Sequence, residues 1–88
     1  MNTTLQPHYV GVVLGSFLML IHTGWSILHA LGFAEPLVKW IFAMHMFALP
    51  FTFFPFSFLT ALELIILTGV IGYFVGQLFA RMWNQLAV

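Results

Sequence analysis

The chain has 88 residues, of which 62% are hydrophobic, and its two Lys or Arg residues balance its two Asp or Glu residues. A mean hydropathy of +1.09 excludes an ordinary soluble domain, which needs a polar surface. The low, balanced charge excludes nucleic acid as a partner, and the lack of cysteine excludes disulfides and thiolate metal sites. The expected solvent is the lipid bilayer, so the chain is expected to be an integral membrane protein.

Two apolar stretches are long enough to cross a bilayer as helices. A helix rises about 1.5 Å per residue, so roughly 20 residues span the ~30 Å hydrocarbon layer. Residues 9–31 are apolar, with His22 and His29 as the most polar side chains, and residues 60–84 contain an uncharged run from 64 to 80. We predict two transmembrane helices with these bounds. No small-x-small pattern closes the first stretch, so it is expected to be retained rather than cleaved as a signal peptide.

A shorter apolar segment follows the first span. Pro36 and Pro50 confine it to residues 36–49, which would form about 21 Å of helix, too short to span a bilayer. Trp40 suits a membrane interface and is a candidate contact for a partner protein. The segment therefore predicts a short interfacial helix. A third span over residues 37–59 is the alternative.

Residues 50–58 hold two prolines and five phenylalanines. The prolines predict an irregular loop, whose unpaired backbone groups need water or protein partners. Its aromatic side chains, with Phe53 as the candidate contact, are expected to pack against the mouth of the two helices or against a partner. Thr60 and Glu63 have capping-box spacing and are predicted to begin the second span. Glu63 either caps that helix or pairs with a cation on a neighbouring protein.

The two predicted spans each carry a stripe of small residues. Placed at 100° per residue, the stripes are His8, Gly11, Gly15, Met19, His22, Ser26 and His29 in the first span, and Ala61, Ile65, Thr68, Gly72, Gly76 and Phe79 in the second. Each includes a Gly-x-x-x-Gly, Gly11 with Gly15 and Gly72 with Gly76, which permits close backbone approach in lipid. The stripes are expected to face each other, or one of them to face another subunit.

Histidines are the candidate cofactor ligands. His22 and His29 are seven residues apart, about 10.5 Å along a helix, too far to share one metal ion. Either could be an axial ligand of haem or (bacterio)chlorophyll, or could hydrogen-bond across helices instead. Met44 and His45 offer ligands that suit a soft metal such as Cu(I). No nucleophile with a base and no paired carboxylates occur, so catalysis is not expected.

The predicted fold is an all-α integral membrane protein, an antiparallel two-helix transmembrane hairpin with an interfacial helix and an aromatic loop between the spans. Both termini then lie on one side of the membrane. Arg81 follows the second span and Lys39 lies between the spans, where Glu35 can neutralise it. The positive-inside rule therefore favours cytoplasmic termini.

The run from Gly72 to Asn84, Gly-Tyr-Phe-Val-Gly-Gln-Leu-Phe-Ala-Arg-Met-Trp-Asn, resembles the end of a bacterial family of uncharacterised small two-helix membrane proteins. In that family the second span similarly finishes in a glycine-spaced, Phe-Ala, aromatic-Asn pattern. The resemblance covers the last third of the chain. It implies the hairpin architecture and a multi-pass protein of the bacterial inner membrane, and it carries no activity.

Two function hypotheses follow. The first is a non-catalytic accessory subunit of a larger membrane complex, for which respiratory or photosynthetic electron transfer is the expected setting. It would contact other transmembrane subunits by helix packing. The second is a homo-oligomeric hairpin that binds haem, pigment or metal through His22, His29 or His45. A small transporter or channel is disfavoured because charge inside the membrane is scarce.

Overall fold

A computed structural model describes residues 4–50 and 52–86. All regular structure in these ranges is helical: α1 spans Pro7–Ala30, α2 spans Ala34–Met44 and α3 spans Phe58–Leu86. By length and composition, α1 and α3 are each apolar enough to cross a membrane. The prediction of an all-helical chain with two long apolar helices is confirmed.

Both long helices begin two residues before the predicted bounds. Pro7 occupies the first turn of α1. Proline has no backbone N–H, and in the first turn of a helix that N–H would have no carbonyl partner, so no hydrogen bond is lost. At the start of α3, the Ser57 hydroxyl accepts the backbone N–H of Thr60 at 3.3 Å. Ser57 is therefore the cap of α3, and the prediction of a capping box from Thr60 to Glu63 is wrong. Serine at the residue before a helix is as favourable a cap as threonine.

The middle helix is shifted toward the N-terminus, over Ala34–Met44 instead of residues 36–49. It ends in a Schellman motif: the N–H of Met46 donates to the carbonyl of Ala43, and that of Phe47 to the carbonyl of Phe42. The rings of Phe42 and Phe47 also pack edge to face, 6.2 Å apart. The chain therefore leaves the helix well before Pro50, which was expected to end it.

The same motif ends α1. Gly32 donates to the carbonyl of His29 at 3.1 Å, and Phe33 donates to that of Leu28 at 2.9 Å. Both motifs need a left-handed residue, with φ of 83° at Gly32 and 65° at Met46. Glycine adopts this conformation freely, whereas a residue with a side chain is strained by roughly 1–2 kcal/mol. The end of α2 is thus the more strained of the two.

Replacing Gly32 by alanine and replacing Met46 by glycine are expected to have opposite effects on the stability of the two helix ends. Gly32→Ala should destabilise the end of α1 by about 1 kcal/mol, because alanine is strained at that φ. Met46→Gly should relieve the strain at the end of α2. Amide hydrogen exchange in detergent micelles measures both, at the Phe33 and Phe47 amides that close the motifs. We expect exchange at Phe33 to rise about fivefold in the first variant and exchange at Phe47 to slow in the second. Faster exchange at Phe47 in Met46→Gly would contradict the assignment.

α1 and α3 lie side by side and run in opposite directions. Their contacts pair residues near the start of α1 with residues near the end of α3, such as Gly11 with Gly76 and Gly15 with Gly72. α2 joins the structure at Ala34, which is 1% exposed, and none of its other residues is fully buried. Among the described residues, no large side chain is fully buried. The helices therefore meet through small residues and leave their large apolar side chains outside.

Candidate functional site: a glycine seam with a polar cluster at each end

The seam between α1 and α3 brings their backbones into direct contact. A Cβ on Gly72 would lie 2.8 Å from the Cα of Gly15, and one on Gly76 would lie 2.7 Å from the Cα of Gly11. Real Cβ atoms do not approach carbon or oxygen atoms so closely. The structure thus places the two Gly-x-x-x-Gly pairs against each other. Such contact is how helices associate in lipid, where no hydrophobic force draws them together.

Two seam residues were missed by the sequence analysis, and one was assigned wrongly. Gly69 and Ala80 are buried in α3, whereas Phe79, predicted for this stripe, is 54% exposed. A Cβ on Gly69 would lie 2.6 Å from the side chain of Met19. The available signal was residue size, since the small residues of α3 recur every three or four positions up to Ala80. The predicted stripe, drawn at 100° per residue along a straight helix, did not include these two residues.

A hydrogen-bonded chain crosses the seam near the termini. The Tyr73 hydroxyl accepts a hydrogen bond from Nε2 of Gln77 at 2.6 Å. Its own proton is then available to donate to Nδ1 of His8, which lies 2.7 Å away. Nη2 of Arg81 donates to Oε1 of Gln77 at 3.3 Å. The i, i+4 spacing of Tyr73, Gln77 and Arg81 was the signal for this chain. It satisfies polar groups where the helices leave the seam.

Asn84 ties the N-terminal segment to α3. Its Oδ1 accepts the backbone N–H of Leu5 at 2.6 Å, and its Nδ2 donates to the Leu5 carbonyl at 2.7 Å. The side-chain amide therefore satisfies both backbone groups of one residue, 79 positions away. This contact fixes the register of the two helices at their terminal ends.

Asn84→Leu is expected to release the N-terminal segment. Two hydrogen bonds of about 0.5–1.5 kcal/mol each are lost, which corresponds to roughly tenfold faster exchange of the Leu5 amide. Hydrogen exchange followed by NMR in micelles measures this. Gln85→Leu, at the exposed neighbouring position, is the matched control and should leave the Leu5 amide unchanged. Equal exchange in the two variants would show that Asn84 does not hold the segment.

The second cluster surrounds His29 at the other end of the seam. Nε2 of His29 donates to the carbonyl of Phe54 at 2.9 Å. The imidazole stacks on Phe53, with ring centres 5.7 Å apart and planes inclined by 14°. The rings of Phe56 and Trp25 lie 5.9 and 6.4 Å from it. Phe53 is thus packed against α1, and the loop folds onto the mouth of the two helices, one of the two expected arrangements.

A cavity of about 230 Å³ lies beside this cluster. α1 contributes Trp25, Ser26 and His29 to its lining, the loop contributes Phe56 and Ser57, and α3 contributes Thr60. We call it the loop-end cavity. Its walls are mainly apolar, and none of its lining residues is Lys, Arg, Asp or Glu. It can accept a small neutral molecule.

The other predicted ligand histidines each bond their own helix. Nδ1 of His22 donates to the carbonyl of Leu18 at 2.8 Å, and Nδ1 of His45 to that of Ile41 at 2.7 Å. Each bond places the ring proton on Nδ1, which leaves Nε2 as the ligating atom. His29 differs, because its Nε2 is used by Phe54. His22 and His45 are therefore the two histidines with Nε2 available.

Within the described part of the chain, no three His, Asp or Glu side chains come together. Met44 is the last residue of α2 and is 63% exposed. Trp40 is 60% exposed on the same helix, and Glu63 is exposed near the start of α3. These three side chains project away from the seam.

Comparison of the chain with protein-family models, curated proteins and solved structures finds no match. The resemblance of residues 72–84 to small bacterial two-helix membrane proteins stays a prediction.

Proposed function

We propose that the chain is a two-pass protein of the bacterial inner membrane that acts as a non-catalytic accessory subunit of a larger membrane complex. In this proposal α1 and α3 form an antiparallel transmembrane hairpin, α2 lies in the interface, and both termini face the cytoplasm. The outer surface of the hairpin packs against transmembrane helices of other subunits.

The observation that carries the proposal is the outward position of the large apolar side chains. The seam is formed by glycine and alanine, so the bulky residues of both long helices remain exposed on the isolated chain. Those at least 45% exposed include Tyr9, Val13, Phe17, Leu20, Ile27, Ile66, Leu67, Phe74, Leu78 and Met82. In water such a surface would aggregate. Acyl chains or neighbouring helices are the surroundings that match it.

Two features favour a protein neighbour in addition to lipid. Glu63 is exposed near the start of α3, where a carboxylate in the membrane interface is less costly when a cation pairs with it. Phe54, in the aromatic loop, is 85% exposed, and its backbone carbonyl accepts a hydrogen bond from His29. An exposed aromatic residue on a hydrogen-bonded backbone suits a binding contact, because less backbone entropy is lost when it is covered.

Purification in mild detergent followed by mass spectrometry tests the proposal. A photoreactive phenylalanine analogue at position 74, on the outer face of α3, should cross-link the chain to a larger membrane subunit that co-purifies in stoichiometric amount. The same analogue at position 47, beyond α2, is the comparison. Cross-links to lipid or to a second copy alone would contradict the accessory role. We propose a respiratory or photosynthetic electron-transfer complex as the host that would be captured.

His22 supports a second candidate function, a homo-oligomeric hairpin that binds haem or (bacterio)chlorophyll. Its Nδ1–H is held by the carbonyl of Leu18, so its Nε2 is the atom that would ligate iron or magnesium. The cofactor would supply electron transfer or light absorption. Visible absorbance of the purified chain tests this, with His22→Ala as the variant. Colour lost in the variant supports ligation, and a colourless chain excludes it.

A further inference from the structure

The shape of the loop-end cavity follows from the glycine seam. The contacts between glycines lie in the terminal half of the helix pair, where Gly11 and Gly15 meet α3. Toward the loop, the larger side chains of Trp25 and His29 flank the buried Ser26 on α1, and the aromatic loop packs against Trp25. An apolar cavity of about 150 Å³ takes up benzene. A cavity of about 230 Å³ therefore has room for one substituted six-membered ring.

The walls of the cavity suit a flat ring. Trp25 and Phe56 line it and can stack against a planar molecule in offset or edge-to-face contact. No Lys, Arg, Asp or Glu lines it, so a charged ligand would lose its hydration without compensation. The ligand class is thus neutral, planar and largely apolar.

Three hydroxyls line the cavity. That of Ser26 already donates to the carbonyl of His22 at 2.8 Å, whereas Ser57 and Thr60 still have protons to donate. Ser57 Oγ accepts the Thr60 N–H, so its own proton is available. Thr60 Oγ1 makes no hydrogen bond within the described part of the chain, and His29 is already bonded to Phe54. Hydroxyl donors on an apolar wall select a ligand whose oxygen atoms accept.

We propose that the loop-end cavity binds the head ring of a membrane quinone, with the hydroxyls of Ser57 and Thr60 donating to a quinone carbonyl. The ring stacks against Trp25 and Phe56, and the isoprenoid tail leaves the cavity between the helices and enters lipid. A quinone meets each requirement, since it is neutral, planar, one ring wide and accepts hydrogen bonds through its carbonyls. The inference rests on the proposed membrane location and is independent of the accessory role.

Tryptophan fluorescence in detergent micelles tests the site, because quinones quench indole on contact. One variant keeps Trp25 alone, with Trp40→Phe and Trp83→Phe; the matched control keeps Trp83 alone, at the opposite end of α3. Titration with a decyl-substituted benzoquinone should quench Trp25 saturably. Trp83 should show only the linear quenching of a quinone dissolved in the micelle. Thr60→Val, added to the variant that keeps Trp25, should weaken saturable binding roughly tenfold.

Decylbenzene, which has the ring and tail without carbonyls, completes the test. It should compete poorly with the quinone, and its competition should not change in Thr60→Val. Linear quenching of Trp25 would overturn the proposal, as would equal competition by decylbenzene. Circular dichroism of each variant establishes that the helices are intact. The titration contains no other protein, so a failure to bind quinone would not contradict the accessory role. Likewise, a failure to find a partner complex would not contradict quinone binding.

Discussion

Gly76→Leu is expected to separate α1 from α3, whereas Gly24→Leu is expected to leave them together. A Cβ on Gly76 would lie 2.7 Å from the Cα of Gly11 and 2.8 Å from the carbonyl oxygen of Val10. Both neighbours are backbone atoms, so no side chain can move aside. Overpacking of a close contact costs about 1–3 kcal/mol even where side chains adjust. The effect here should reach or exceed the upper end of that range.

Gly24 provides the matched control, because outside its chain neighbours and the adjacent backbone of its own helix no atom lies within 4 Å of a Cβ built there. It lies in α1 like the seam glycines Gly11 and Gly15 and is exposed. Leucine at this position adds the same bulk without meeting α3. A difference between the two variants therefore reports the seam and not helix propensity or hydrophobicity.

Distances between spin labels measure the separation. The natural chain has no cysteine, so labels can be attached at Val12→Cys and Val75→Cys, two positions that are 45% and 48% exposed. The distance distribution should be narrow in the parent and in Gly24→Leu, and longer and broader in Gly76→Leu. A narrow, unshifted distribution in Gly76→Leu would mean that the glycines do not hold the helices together.

His29→Ala is expected to detach the aromatic loop from the helices. The substitution removes the hydrogen bond to the Phe54 carbonyl and the stacked contact with Phe53. A hydrogen bond contributes about 0.5–1.5 kcal/mol and an aromatic pair a similar amount. Together they correspond to a shift of about ten- to a hundredfold in the docked fraction of the loop.

Nuclear Overhauser contacts between the rings of Trp25 and Phe53, 6.1 Å apart in the structure, measure loop docking in micelles. They should vanish in His29→Ala. His29→Phe should preserve part of them, since it keeps a ring and loses only the hydrogen bond. His45→Ala is the control, because His45 bonds only its own helix. Persistence of the Trp25–Phe53 contacts in His29→Ala would show that the loop docks without the imidazole.

Length and apolar composition were sufficient to predict the two long helices, because those quantities decide whether a helix can cross a bilayer. Helix ends were predicted less well. α2 ends at Met44, and the left-handed residue that follows it is a methionine, Met46, at a position where sequence patterns lead one to expect glycine or asparagine. α3 begins at Phe58 because Ser57 caps it, while Thr60 and Glu63 offered a more conspicuous motif.

The candidate site was predictable only where it depends on periodicity. The Gly-x-x-x-Gly pairs could be placed on facing stripes because helical spacing alone aligns them. The contact of Asn84 with Leu5 depends on the register between two helices, which no local pattern encodes. The bond from His29 to Phe54 depends in turn on the path of an irregular loop. Packing of the whole chain determines both contacts.

Two helices that cross the membrane side by side, as proposed for α1 and α3, leave both termini on one face. Single cysteines at Thr4, Met46 and Gln85, all exposed positions, can be labelled with a membrane-impermeant maleimide in sealed vesicles of known orientation. Positions 4 and 85 should react from the same side and position 46 from the other. Reaction of positions 4 and 85 from opposite sides would contradict this arrangement, as would recovery of the chain in the aqueous fraction once membranes are removed.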